Sequence, residues 1–181
     1  MPRLFFALPL HQLAPALIDW RERRPWPGLP VPEHNLHLTL AFLGEADEAT
    51  QASLIAAAGQ QRCPPFSVHL DQTGWFARAK AAWVGPREWP NELNVLARAL
   101  RRHGEKLGLG NGEQGYRPHV TLSRKAGEAP GELPAPDFLL RADRFCLYQS
   151  VSTPDGVHYE PLACWPLRAR VKNPHREELT P

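Results

Sequence analysis

A tetrapeptide of the form His-x-Thr-Leu occurs twice in this chain, as His37-Leu-Thr-Leu40 and His119-Val-Thr-Leu122. Random placement of the chain's own histidines, threonines and leucines would yield roughly 0.04 such tetrapeptides, so the pair is not a coincidence of composition. Both copies lie in stretches that read as strands. Asn35 to Gly44 is rich in leucine and closes on glycine, while Val120, Thr121 and Leu122 favour a strand and follow Pro118, which biases its predecessor toward extended backbone. Strand side chains alternate faces, which puts His37 with Thr39 on one face and Leu38, Leu40 and Phe42 on the other. His119 and Thr121 share a face in the same way, against Val120 and Leu122. Each strand thus offers an imidazole beside a hydroxyl, anchored by apolar residues behind.

Around these strands the chain interleaves further elements. Arg3 to Leu10 reads as a buried strand, and residues 11–24 as a helix that ends before Pro25. Trp26 to Glu33 is a proline-rich loop. A helix is expected over about residues 48–61, with strands at Phe66 to Leu70 and Ala81 to Gly85. Residues 91–107 give the clearest helix, with Leu93, Leu96, Leu100 and Leu107 on one stripe and Gly108 just past the end. Gly108 to Gly115 and residues 126–136 read as loops. Two last strands, about Phe138 to Ser150 and Val157 to Leu167, flank a turn at Thr153-Pro-Asp-Gly156. Several strand pairs are joined by loops too short for a parallel crossover, so the fold class is α+β with largely antiparallel sheets. No low-complexity linker splits the chain. Residues 1–168 are expected to form one domain, followed by a polar tail at 169–181.

Composition narrows the function classes. With 181 residues, 43% hydrophobic and 22% charged, the chain is not a disordered one. Its longest apolar runs fall far short of the ~20 residues a membrane helix needs, and its N-terminus lacks a cleavable signal's layout. No membrane partner is expected. A net charge of +2 does not by itself announce a nucleic-acid coat protein. Cys63, Cys146 and Cys164 are widely spaced and show no paired pattern. They read as three buried unpaired thiols, which favours a reducing, cytoplasmic location. A metal site could draw on His34 or His69, but no carboxylate or cysteine falls at ligand spacing, so no metal is expected. His11, His69, His103, His158 and His175 have no partner pattern and read as surface residues.

If the two strands faced each other, two imidazoles would flank whatever lay between. One, neutral, could take a proton from water while the other, protonated, gave one to a leaving oxygen. An unperturbed histidine pKa near 6.5 makes both states accessible close to neutral pH. The threonine hydroxyls could hold non-bridging phosphate oxygens, and Arg124, five residues after His119, could supply positive charge. Arg117, beside Pro118, could be a further phosphate contact or a solvated charge.

The segments His37-Leu-Thr-Leu-Ala-Phe-Leu-Gly-Glu45 and Arg117-Pro-His-Val-Thr-Leu-Ser-Arg124 resemble the paired motifs of the two-histidine phosphoesterases. More narrowly they resemble the RNA 2′,3′-cyclic phosphodiesterases of bacteria and archaea, formerly called 2′-5′ RNA ligases. Weaker likeness extends over nearly the whole chain, through Arg3-Leu-Phe-Phe-Ala7, Trp83-Val-Gly85, Leu147-Tyr-Gln-Ser150 and Tyr159 to Leu167. The resemblance implies a bilobed α+β fold of two antiparallel sheets with outer helices, related by a pseudo-two-fold axis, with the active-site cleft between the lobes. It implies hydrolysis of 2′,3′-cyclic phosphate at RNA 3′ ends to a 2′-phosphate, without metal or cofactor, and 2′-5′ ligation through the same site. His37 would be the proton donor and His119 the proton acceptor, although the symmetry of the motif does not itself choose between them. Thr39, Thr121 and Arg124 would hold the phosphate. A wall for base stacking could come from Phe5, Trp75 or Tyr148, with burial in the core as the competing reading of each.

Two alternatives stand beside this reading. The same chemistry could serve a small cyclic nucleotide or a 2′-5′ oligonucleotide, or the fold could be a non-catalytic module that binds RNA ends. The chain is expected to act as a monomer.

Overall fold

The computed structural model describes residues 1–169 apart from Asn111, Glu113 and Gln114. In chain order the elements are β1 (Arg3–Pro9), α1 (Ala14–Glu22), β2 (Leu29–Pro30), β3 (His37–Glu45), α2 (Glu48–Gly59), β4 (Phe66–Leu70), β5 (Gln72–Phe76), β6 (Ala81–Gly85), α3 (Asn91–Glu105), β7 (Val120–Arg124), β8 (Phe138–Ala142), β9 (Arg144–Thr153) and β10 (Gly156–Pro166). A 3-10 turn over Glu33–Asn35 leads into β3. Most of the expected tail, residues 170–181 with His175, lies outside the described residues.

Local sequence accounts for the helices. Asp47 caps α2 by accepting a hydrogen bond of 2.8 Å from the Thr50 backbone N–H. Helix α3 buries Leu93, Leu96, Leu100 and Gly104 on one face. Gly104 is required there, because a Cβ at this position would sit 2.5 Å from Leu43 Cδ2 on β3. Leu107, expected on the same stripe, lies past the end of α3 and is 39% exposed. The single strand expected over Phe138 to Ser150 is two: the chain breaks at Asp143, so that β8 pairs with β4 while β9 joins the large sheet. Two strands, β2 and β5, lie in segments where none was expected.

The large sheet has eight strands in the order β10-β9-β1-β3-β7-β6-β5, with β2 also on β7, and every pairing is antiparallel. Its two halves touch through one ladder pair, Leu38 opposite Val120. Beyond that pair β3 and β7 diverge, and the fork is filled. Leu29 and Pro30 of β2 pair with Arg124 and Ser123. The Val31 N–H donates to the Leu122 carbonyl at 2.9 Å. Buried Arg21 of α1 reaches in, its Nη1 donating to the Val31 and Leu122 carbonyls at 2.8 and 2.9 Å. On the other arm the Tyr116 hydroxyl donates to the Thr39 carbonyl at 2.9 Å. The backbone groups that splaying frees are thereby satisfied, as burial demands.

The main core lies on one face of this sheet, where Leu38, Leu40, Val120 and Leu122 pack with Leu54 of α2 and the leucines of α3. The opposite face carries a small separate cluster of Phe5, Ala7, Cys146 and Tyr148 with Tyr159 against it. Here one expectation fails. Cys146 and Cys164 are not free thiols but a disulfide, formed because β9 and β10 set them directly opposite one another. Cys63 alone remains a buried free cysteine, so the cysteines no longer point to a reducing compartment. No helix among the described residues is long and apolar enough to cross a membrane.

Candidate active site

Strands β3 and β7 run antiparallel through Leu38 and Val120, so a local two-fold axis between these residues exchanges His37 with His119 and Thr39 with Thr121. The two tetrapeptides are thus brought together, on the face away from the main core. The likeness extends further along each strand. Opposite β1, Ala7 pairs with Thr39 and Phe6 with Ala41, leaving Leu40 as an extra residue. Opposite β6, Trp83 pairs with Thr121 and Ala82 with Ser123, leaving Leu122 as the extra residue. Each bulge falls three residues after its histidine and points two successive side chains at the core, Leu40 with Ala41 and Leu122 with Ser123, all buried. Simple alternation put Phe42 on the core face. The bulge returns it instead to the face of His37, where it is 52% exposed and 6.3 Å from Phe5. Arg124 reaches the same face by the same device.

Both imidazoles are oriented alike. His37 Nδ1 lies 2.7 Å from the Asn35 carbonyl, and His119 Nδ1 lies 2.8 Å from the Arg117 carbonyl. A carbonyl can only accept, so each Nδ1 carries the proton and each Nε2 is left as the nitrogen for proton exchange. His37 Nε2 is 3.0 Å from the Thr39 hydroxyl, which donates to its lone pair. Arg117, a candidate phosphate contact, serves His119 through its backbone, while its guanidinium lies 5.1 Å above the Trp83 ring. The His119 ring also meets Phe76 edge-on at 4.8 Å.

Burial pushes the His37 pKa down to about 4, against a weaker opposing effect of its hydrogen bond to Asn35; the charges of Arg124 and His119 add to the depression. His37 is therefore neutral in the unliganded site near pH 7.

Asn35 and Tyr159 belong to this arrangement, and sequence reading missed both. The Asn35 side chain is a clamp on β10: its Nδ2 donates to the Val157 carbonyl at 2.6 Å, and its Oδ1 accepts from the Tyr159 N–H at 3.1 Å. Tyr159 then stands edge-on to His37 at 5.1 Å, and its hydroxyl accepts from Arg124 Nη2 at 3.1 Å. One asparagine thus orients His37 through its carbonyl and locates the partner of Arg124 through its amide. The partners lie 122 and 124 residues away, so no local signal could reveal them.

Phe5 and Tyr148 stack at 5.4 Å beneath His37, 4% and 8% exposed, so they form the floor of the site. Trp75 donates its indole N–H to the Ala126 carbonyl. His69 pairs with Asp137, and His34 stacks on His158. Among the described residues no three His, Cys, Asp or Glu side chains gather as a metal-ligand set. His37 borders two cavities. One of about 510 Å³ extends past Asn35 and Tyr148 to Cys164. The other, about 400 Å³, is bordered by Arg124, Tyr159, Phe42, Arg3 and Ser150.

Over most of its length the chain is similar to known proteins. The family model of the 2′-5′ RNA ligase superfamily matches residues 9–153. The RNA 2′,3′-cyclic phosphodiesterase of Escherichia coli K12 is 38% identical over 170 residues, covering 91% of this chain and 96% of the relative. That of Thermus thermophilus is 34% identical, covering 92% and 90%. Among solved structures, E. coli LigT complexed with 3′-AMP superposes with a TM-score of 0.86 at 36% identity, over 92% of this chain and 99% of that one. E. coli LigT complexed with phosphate gives 0.82 at 36% identity, over 92% and 98%.

Proposed function

The chain belongs to the 2′-5′ RNA ligase superfamily, and on that footing we propose that it is an RNA 2′,3′-cyclic phosphodiesterase that opens cyclic phosphate ends to 2′-phosphates. The observation that carries the reading is the pairing of Leu38 with Val120, which sets two identically oriented imidazoles about one axis with Arg124 beside them.

In this mechanism the cyclic phosphate lies between the two Nε2 atoms, with Arg124 and the hydroxyls of Thr39 and Thr121 on its non-bridging oxygens. His119 Nε2 removes a proton from water, whose oxygen bonds to phosphorus as the bond to the ribose 3′ oxygen breaks. His37 Nε2 delivers a proton to that departing oxygen. A donor role for His37 requires that bound phosphate lift its pKa from about 4, and an anion beside the ring does so by stabilising the imidazolium against the burial that chiefly depresses it. With the 5′ hydroxyl of another RNA in place of water, the same displacement makes a 2′-5′ linkage. The displacement exchanges one P–O bond for another, and the chain's two imidazoles take up and deliver the one proton that moves with it.

The deciding experiment incubates the protein with an RNA oligomer ending in 2′,3′-cyclic phosphate, in EDTA, and identifies the product end. A 2′-phosphate is expected. A 3′-phosphate would reverse the assignment of the leaving oxygen, and no turnover by folded protein would refute the activity.

A further inference from the structure

The departing oxygen decides where the rest of an RNA strand must go. In the displacement above, His37 protonates the ribose 3′ oxygen, so the 3′ carbon of the terminal ribose adjoins this imidazole. The next carbon of the ring, the 4′, carries the 5′ carbon through which the strand continues. The strand therefore leaves on the His37 side, while Arg124 holds the reacting phosphate in the cavity of about 400 Å³. His37 also borders the cavity of about 510 Å³, which Arg124 does not.

That larger cavity runs on into another of about 340 Å³, with Pro9, Leu10, His11 and Arg144 bordering both. Strand β1 ends at Pro9, which releases His11 to the surface, and the break at Asp143 brings Arg144 to the same junction. Glu33 borders only the first of these cavities and Asp143 only the second, so the polar side chains common to both are a guanidinium and an imidazole. The charge of Arg144 opposes the upward push of burial on the Tyr148 phenol, which places the guanidinium toward the cavity that Tyr148 lines.

We propose that the cavity of about 510 Å³ is the subsite for the nucleotide 5′ to the reacting end, with Arg144 and His11 on the phosphodiester that joins the two. The proposal rests on the cyclic-phosphate reading above and adds that the preferred substrate is a strand rather than a mononucleotide. A guanidinium suits the role because its planar fork engages two phosphate oxygens at once. His34 borders the same cavity and stacks on His158 at 4.7 Å, so the pair gives the penultimate base a flat face to lie on. Neither contact reads a base edge, and strands of any sequence are accepted.

Steady-state kinetics on three substrates test it: adenosine 2′,3′-cyclic phosphate, an adenosine trinucleotide with the same cyclic end, and that trinucleotide with a neutral methylphosphonate at the linkage next to its terminal nucleotide. Wild-type protein should show a lower KM for the trinucleotide than for the mononucleotide. Arg144→Ala should raise the KM of the trinucleotide by roughly 3- to 10-fold, between the worth of an exposed ion pair and that of a sheltered charged hydrogen bond, and leave the mononucleotide unchanged. Arg144→Lys should recover part of the loss. The methylphosphonate should cost wild type the same factor and Arg144→Ala nothing further. A trinucleotide no better than the mononucleotide overturns the subsite, as does an Arg144→Ala loss that is absent, falls equally on both or survives the methylphosphonate; wild-type turnover then leaves the activity standing. Folded wild-type protein that turns over none of the three overturns both.

Discussion

Phe42 and Arg124 occupy equivalent positions about the axis between Leu38 and Val120, each five residues after its histidine and each turned into the cleft by a one-residue bulge. The strands that carry them are the same device built twice, and they differ in what the device delivers. One delivers an apolar ring and the other a guanidinium, so the near-symmetry of the two strands is broken on the face that carries the histidines.

Arg124→Ala should lower kcat/KM by about 10²- to 10³-fold, the usual loss when a charged donor aimed at a reacting phosphate is removed. Arg124→Lys should recover only part of it, because a lysine cannot hold both Tyr159 and a phosphate with a planar fork. Single-turnover rates measure the effect. Full activity in Arg124→Ala would remove the residue from the phosphate.

The depressed pKa of His37 has a consequence for stability. The unfolded chain binds a proton at about 6.5, whereas the folded site resists one until about 4. This group's contribution to stability is therefore fully present above pH 6.5 and is lost as pH falls toward 4. Denaturant titrations should show stability rising with pH across that window, and His37→Gln should flatten the rise. A slope unchanged by the substitution would mean that other groups set it.

Bound phosphate should raise the same pKa. The His37 resonance, followed by NMR across pH 3 to 8, should titrate higher with adenosine 2′-monophosphate bound than without. If it stays near 4 in the complex, the donor and acceptor roles belong the other way round.

Asn35→Ala leaves the Val157 carbonyl and the Tyr159 N–H unpaired near His37, at a cost of about 1–3 kcal/mol in stability for each buried group that stays unsatisfied. The distinguishing readout is catalytic. Because Tyr159 is the partner of Arg124, Asn35→Ala should raise KM toward the value of Tyr159→Phe, and a loss of thermal stability with KM intact would make Asn35 a purely structural clamp.

Reduction of Cys146–Cys164 should destabilise the protein by about 2–3 kcal/mol, in keeping with a closed loop of this size. The two residues are bonded neighbours beneath Tyr148, so melting in dithiothreitol should match the Cys146→Ala/Cys164→Ala double variant. Cys63→Ala should keep its sensitivity to reductant. Identical melting of wild type with and without reductant would show that the bridge carries no stability.

Several of these features were legible in the residues alone. The doubled tetrapeptide named both histidines, and alternation correctly grouped His37 with Thr39 and His119 with Thr121. What failed was non-local. A bulge exists only relative to its partner strand, so nothing within Leu38 to Phe42 announces that β1 skips Leu40. Strand β5 has no alternation to find: Gly74 is there because the Trp83 ring of β6 lies where a Cβ would be. The disulfide joins residues 18 apart that become opposite only once the hairpin register, with its own shift near Pro161, is fixed.

The antiparallel pairing at Leu38 and Val120 also decides a matter of handedness. Groups exchanged by a two-fold axis act on a phosphorus between them from opposite sides, so the oxygen that enters and the oxygen that leaves occupy opposite apices. Each turnover then inverts the configuration at phosphorus once. A cyclic substrate made chiral by a single sulfur should give one product isomer with isotope-labelled water and the matching isomer with an RNA hydroxyl. Retention would instead betray two successive inversions and a histidine bonded to phosphorus between them.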